Sequence, residues 1–322
     1  MIATPEQERA WRAAHRAALD HVLAVAAEAH CAEELILRGG MLMLAYGGRA
    51  ARPPADLDWV VLPSATGRDP LDPYPYVHTL RQVQQPEADV MWEAEEPDLG
   101  GLHPRLPPEG LTWVDQEEID ADTHAPHEGL TRALERRPEA AGGVVLDVAA
   151  AWYDGGWAYR YVGDGELPGV RLVVPWRAPG LPPGETRMDF ACDEWLPQAP
   201  VHARIPRADG GRPTLVRAAS RELSLAWKVL WLLTDAGAGE TAQPKDLYDA
   251  VLLAEAPETR LSPALLASVL RRGRQERASL DGLRVDEGAW AAFRAAHPQV
   301  RGRAFGWIER LVRRLAPVLA DR

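Results

Sequence analysis

The apolar run Leu35-Ile36-Leu37-Arg38 is too short for a helix and is stopped by Gly39-Gly40, after which Met41-Leu42-Met43-Leu44-Ala45-Tyr46 reads as helical. The pattern is strand, glycine turn, helix. Pro53-Pro54 close off that helix, and Asp56-Leu57-Asp58-Trp59-Val60-Val61 follows within a second strand expected over 56–62. Upstream, Thr4-Pro5-Glu6-Gln7 supplies an N-cap residue, proline at the first helical position and glutamine at the third, so a helix is expected from there to about residue 30.

Between residue 63 and about residue 125 the periodicity is lost and Pro, Gly and acidic residues dominate. Tyr74, Tyr76, Trp92 and Trp113 lie in this stretch, which is therefore expected to be an irregular insertion packed by its aromatics. A helix is expected over 128–137, a strand or a second helix over 144–148, and strands over 157–162, 170–176 and 186–192. The last two join through Pro179-Gly180-Leu181-Pro182-Pro183-Gly184, which suggests a meander. Past Pro213 the pattern turns helical, over 220–235, 244–255, 263–272, 286–296 and 300–319. Ser220, Ser262 and Asp286 suit N-caps, and Pro244 and Pro263 suit first helical positions. The expected domains are 1–215, carrying the insertion, and 216–322.

Composition narrows the class. Of 322 residues 46% are hydrophobic and 26% charged, as in a folded globular protein. Apolar runs fall short of a spanning helix and the N-terminus is charged, so no membrane segment is expected and the cytoplasm is the expected compartment. Cys31 and Cys192 lack the near neighbours of a zinc cluster and read as free thiols. Asn is absent and, of 36 basic residues, only Lys228 and Lys245 are lysine, which implies a GC-rich coding bias. Under that bias a surviving lysine marks a place where a compact ammonium is wanted rather than a planar guanidinium. The net charge of -11 is uneven: residues 271–322 hold twelve Arg against six acids, whereas 62–140 hold seventeen acids against six Arg. The C-terminal lobe is basic and the mid-chain segment acidic.

Alternate residues of a strand share a face, so Asp56 and Asp58 project together while Leu57 points to the core. Two carboxylates at a strand end form a hard-oxygen pair suited to magnesium, although two solvated acids would look the same. In Thr186-Arg187-Met188-Asp189-Phe190, Asp189 falls on the polar face of another strand and would complete a two-metal site. Gly39 and Gly40, just before a helix, allow a phosphate to approach backbone N-H groups. No P-loop and no dinucleotide-binding glycine motif occurs. Lys228 interrupts an apolar helix and either snorkels to the surface or faces a triphosphate. Lys245, Asp246 and Asp249 sit on the next helix, where Lys245 and Asp249 could form an i,i+4 surface pair.

The order of these features resembles the AbiEii-type nucleotidyltransferase toxins of the polymerase-β-like nucleotidyltransferase superfamily, over roughly residues 30 to 255. The resemblance implies an α+β fold, with a mixed sheet flanked by helices and then a C-terminal helical bundle. It also implies magnesium, a nucleoside triphosphate and transfer of a nucleoside monophosphate to an acceptor hydroxyl, with the 3′ end of tRNA as acceptor and an antitoxin as partner. Asp56 and Asp58 match the metal pair, Asp189 the third acid, Lys228 the phosphate-contacting lysine, and Lys245, Asp246 and Asp249 the terminal motif. Met41 and Ala55 replace small hydroxyl residues of the family, and the family's arginine between Lys228 and the terminal motif is missing from 229–244. For RNA, Arg271, Arg272 and Arg274 offer a basic cluster. The rival readings are a small-molecule acceptor and a binding protein that has lost catalysis.

Overall fold

The computed structural model describes residues 4–62, 102–105, 112–115, 126–154, 158–160, 166–191, 196–237, 241–273, 280 and 282–320. Two compact units emerge: Met1–Met41 with Pro54–Ala158 and Leu167–Ala218, and Leu42–Pro53 with Tyr159–Glu166 and Ala219–Arg322. The fold is α+β, a mixed sheet flanked by helices together with C-terminal helices.

In the first unit, the Thr4 hydroxyl accepts a hydrogen bond from the Gln7 amide at 3.1 Å and starts α1 (Pro5–Glu28), as the capping sequence predicts. After α1 come β1 (Leu35–Arg38), α2 (Gly39–Tyr46), of which the residues from Leu42 on belong to the second unit, and β2 (Leu57–Val61). A small hairpin of β3 (Leu102–Arg105) and β4 (Thr112–Asp115) follows. This hairpin, which includes Trp113, corrects the expectation of a wholly irregular insertion; Tyr74, Tyr76 and Trp92 lie outside the described residues. Next are α3 (Pro126–Arg136), β5 (Val145–Leu146), β6 (Trp152–Asp154) and β7 (Ala158–Arg160). The long β8 (Glu166–Arg177) and β9 (Gly184–Ala191) form a hairpin through the Pro/Gly loop.

Two strands lie where none was expected, β10 (Val201–Ile205) and β11 (Thr214–Ala218), paired antiparallel. Both alternate in burial, but they are short and flanked by loops rich in Pro and Gly, which masks the period. The sheet order is β10-β11-β1-β2-β9-β8-β5, with β6 also on β8. Parallel pairing of β1 with β11 and of β2 with β9 makes the sheet mixed. One face carries Leu57, Trp59, Leu172, Trp176, Met188 and Phe190, all essentially inaccessible. Trp11 of α1 packs on Trp176, and His127 of α3 on Phe190. Gly184 is required opposite Trp176, because a Cβ there would lie 2.2 Å from the indole.

The second unit contains α4 (Arg221–Gly237), α5 (Pro244–Glu255), α6 (Pro263–Arg272), α7 (Glu287–Ala296) and α8 (Ala304–Ala320). Ser220, Ser262 and Asp286 cap α4, α6 and α7 with side-chain oxygens, and Pro244 and Pro263 open their helices. Helix α5 packs against α4, α7 and α8. Tyr248, Trp290, Phe293 and Trp307 stack in one aromatic cluster there. No helix among the described residues is long and apolar enough to cross a membrane.

Candidate active site

Register places charge in a line across the sheet of the first unit. Arg38 of β1 lies opposite Asp58 of β2, and Asp58 lies beside Asp189 of β9. Asp189 lies opposite Arg171 of β8, and Arg171 opposite Asp154 of β6. Register partners share a face, so Arg38, Asp58, Asp189, Arg171 and Asp154 form a transverse row on the side opposite the Trp176 and Phe190 core. The sequence places Asp58 and Asp189 on polar strand faces, and the parallel pairing brings them together.

Asp189 is gripped by Arg171. Arg171 Nε donates to Asp189 Oδ1 at 2.6 Å and Nη2 to Oδ2 at 2.7 Å, a fork-to-fork pair. The Asp189 side chain is 6% exposed and that of Arg171 31%. Hydrogen bonding to Asp189 raises the Arg171 pKa above its ordinary value; burial opposes this, and the charges of Asp189, Asp56 and Asp154 add to it. Asp56, just before β2 and half-buried, therefore lies in the field of the same guanidinium.

Gly39 explains how Asp58 is seated. It adopts φ +70°, and a Cβ there would lie 1.8 Å from Asp58 Oδ2. The carboxylate thus rests on the backbone that opens α2, where the helix dipole favours negative charge. Gly40 follows it, buried, in the first turn. The glycine pair expected to admit a phosphate is thus first the seat of an acid.

No group of three Asp, Glu, His or Cys side chains able to hold a metal ion occurs among the described residues. Magnesium commonly takes one or two protein carboxylates and completes its shell with water and substrate phosphates. Asp58 and Asp189, adjacent hard-oxygen donors with Asp56 nearby, fit that chemistry.

A second polar cluster is internal to the second unit. Lys228 Nζ of α4 lies 2.6 Å from Asp246 Oδ1 and 3.4 Å from Asp249 Oδ2 of α5. Arg52 donates to Asp249 Oδ2 from Nε at 3.2 Å and Nη2 at 3.1 Å. All four side chains are buried, and Lys228 also lies over the Trp231 ring at 4.8 Å. Burial works to lower the Lys228 pKa, but the charges of Asp246 and Asp249 outweigh it and hold the pKa above its usual value. Burial likewise works to raise the Asp246 pKa, and Lys228 outweighs it, leaving the carboxyl below its usual range.

This corrects two expectations. Lys228 does not snorkel to the surface; its ammonium is held between two carboxylates. Lys245 is exposed while Asp249 is fully buried, so they do not form the surface pair that their spacing allowed. Arg271 is exposed at the end of α6, whereas the Arg272 side chain and Arg274 lie outside the described residues. Sequence reasoning missed Arg38, Arg52 and Arg171. Arg38 closes an apolar strand at the glycine pair, and Arg171 interrupts the apolar run of β8. Arg52, far from Asp249 in sequence, brings a second cation to it.

The family model described as "Nucleotidyl transferase AbiEii toxin, Type IV TA system" matches residues 117–309, more than half of the chain. The matched span holds Asp189, Lys228, Lys245, Asp246 and Asp249, while Gly39, Gly40, Asp56 and Asp58 precede it. No match is found among curated proteins.

Proposed function

The chain belongs to the AbiEii nucleotidyl transferase toxin family of type IV toxin-antitoxin systems, and from that premise we propose that it moves a nucleoside monophosphate from a triphosphate to a hydroxyl at the 3′ end of tRNA. The observation that carries the reading is the side-by-side placement of Asp58 and Asp189, with Asp58 seated against Gly39. Magnesium, when bound, would neutralise phosphate charge and increase the acidity of an oxygen bound to it. Asp58 and Asp189 would hold it, with Asp56 adding negative potential. Gly39 leaves the space that seats Asp58 at the start of α2.

Lys228, Asp246 and Asp249 serve by fixing α4 to α5, with Arg52 as the second cation of the cluster. Lys245, exposed at the start of α5, remains available to a phosphate. An antitoxin partner accords with the family.

A polyanionic acceptor is supported by the second unit. Arg294, Arg301, Arg303, Arg313 and Arg314 are exposed on or near α7 and α8, and Phe305 is 66% exposed among them. The loop bearing Arg301 is held by two indoles, Trp307 donating to the Arg301 carbonyl at 2.7 Å and Trp290 to that of Gly302 at 3.1 Å. Exposed guanidinium groups beside an exposed ring suit phosphates beside an unstacked base.

Incubation of the full chain with magnesium, each labelled triphosphate and total RNA tests the reading. Label is expected in tRNA, and Asp58→Asn is expected to abolish transfer at an unchanged unfolding temperature. Full turnover by Asp58→Asn at saturating magnesium would remove the metal assignment. Label recovered only in small molecules would transfer the reaction to a metabolite acceptor.

A further inference from the structure

We propose that Trp152 is the platform on which the base of the nucleoside triphosphate stacks. This rests on the reading of Asp58 and Asp189 as the pair that holds the cation and, through it, the phosphates. Trp59, Trp176, Trp227, Trp290 and Trp307 are buried, whereas Trp152 is 49% exposed. A single exposed apolar side chain is ordinary in itself. What sets this one apart is the face of the sheet on which it stands.

Trp152 of β6 opposes Val173 of β8, and Val173 opposes Arg187 of β9, two residues before Asp189. Register partners share a face, as do alternate residues of one strand, so Trp152 projects on the side of Asp58 and Asp189. Its neighbour Tyr153 gives an independent check, because it points the other way. The Tyr153 ring meets that of His127 of α3, and its hydroxyl shares a hydrogen bond of 2.6 Å with Thr131. His127 in turn packs on Phe190, on the core side. From Asp189 to Trp152 the path is two strands across and two residues along, about 10 Å by about 7 Å, or about 12 Å between backbones. That separation is comparable to the length of an extended nucleoside monophosphate. A nucleotide whose phosphates lie at the acid pair can therefore reach the indole without leaving the face. Val173, inaccessible, is the apolar neighbour of the indole, and Arg187, exposed and 3.3 Å from Glu185, stands on the way. Every base has a π-face, so the platform supplies grip and not choice among bases.

Equilibrium dialysis of the full chain with Mg2+, without RNA, against ATP, GTP, CTP, UTP and inorganic triphosphate tests this. Trp152→Ala is expected to bind the nucleoside triphosphates about tenfold more weakly than the wild type, the scale of one stacked base, and to bind inorganic triphosphate equally well. Trp152→Phe, which keeps a ring, should recover most of the loss. In turnover, Trp152→Ala should raise KM for the triphosphate and leave kcat nearly unchanged. Equal nucleotide affinity in the wild type and Trp152→Ala overturns the proposal. An equal loss for inorganic triphosphate also overturns it, since Trp152 would then only support the sheet edge. A loss confined to tRNA gives the indole to the acceptor and overturns it as well. Asp58→Asn separates the two readings: if it weakens nucleotide binding and Trp152→Ala does not, only the platform fails. If Trp152→Ala weakens nucleotide binding and Asp58→Asn does not, only the acid pair fails. If the wild type binds neither nucleotide nor inorganic triphosphate, the acid pair fails and takes the platform with it.

Discussion

At the scale of single residues, the candidate site depends on a glycine more than its own lack of chemistry suggests. Gly39 must hold a left-handed backbone and must also leave the space that Asp58 Oδ2 occupies. Gly39→Ala is expected to cost about 1–2 kcal/mol through the backbone alone. The added methyl must in addition displace the carboxylate. Transfer should therefore fall much further than stability, and comparing turnover with urea unfolding checks this; equal retention of both would mean that Asp58 need not rest there. The sequence made Gly39 legible as a turn and Asp58 as a carboxylate on the polar face of a strand. Their meeting was not legible, because it depends on the antiparallel register of β1 and β2. Arg171 was harder still, since its ion pair with Asp189 needs the pairing of β8 and β9.

At the scale of elements, legibility followed how local the determining signal is. The bounds of β1, α5 and α6 coincide with expectation because proline, glycine or a capping serine marks them within a few residues. β10 and β11 escaped because their place in the sheet comes from pairing with each other and with β1, not from a long alternating run. The packing of α4 on α5 shows the same contrast. Lys228 is conspicuous in an apolar helix, but its partners become clear only when the helices are apposed. With four buried charges in balance, Lys228→Met leaves an excess of carboxylate and is expected to lower stability by about 3–5 kcal/mol. Lys228→Arg keeps the charge but asks a planar fork to fit where a compact ammonium lies 2.6 Å from Asp246. Its stability should lie between the wild type and Lys228→Met in urea unfolding. A wild-type midpoint for Lys228→Arg would mean that lysine survives here against the coding bias without being required by fit.

At the scale of the whole molecule, if the acceptor is tRNA, a chain of net charge -11 has to bring that polyanion to a basic region while the remainder repels it. Association should therefore be steered and sensitive to salt. Arg301 and Arg303 flank Gly302 in the loop held by Trp290 and Trp307, so neutralising them changes charge with little effect on the aromatic cluster. If both meet phosphates, Arg301→Gln with Arg303→Gln should flatten the logarithmic salt dependence of tRNA binding by up to about two units, since each lost contact removes roughly one released counterion. Phe305→Ala should behave differently. Loss of a stacked base costs about 1–3 kcal/mol and leaves the salt slope unchanged, because a phenyl ring releases no counterion. The two variants together distinguish phosphate recognition from base stacking on one surface. A double arginine variant with wild-type affinity and slope would exclude this loop from the RNA surface and return attention to the exposed Arg271 at the end of α6.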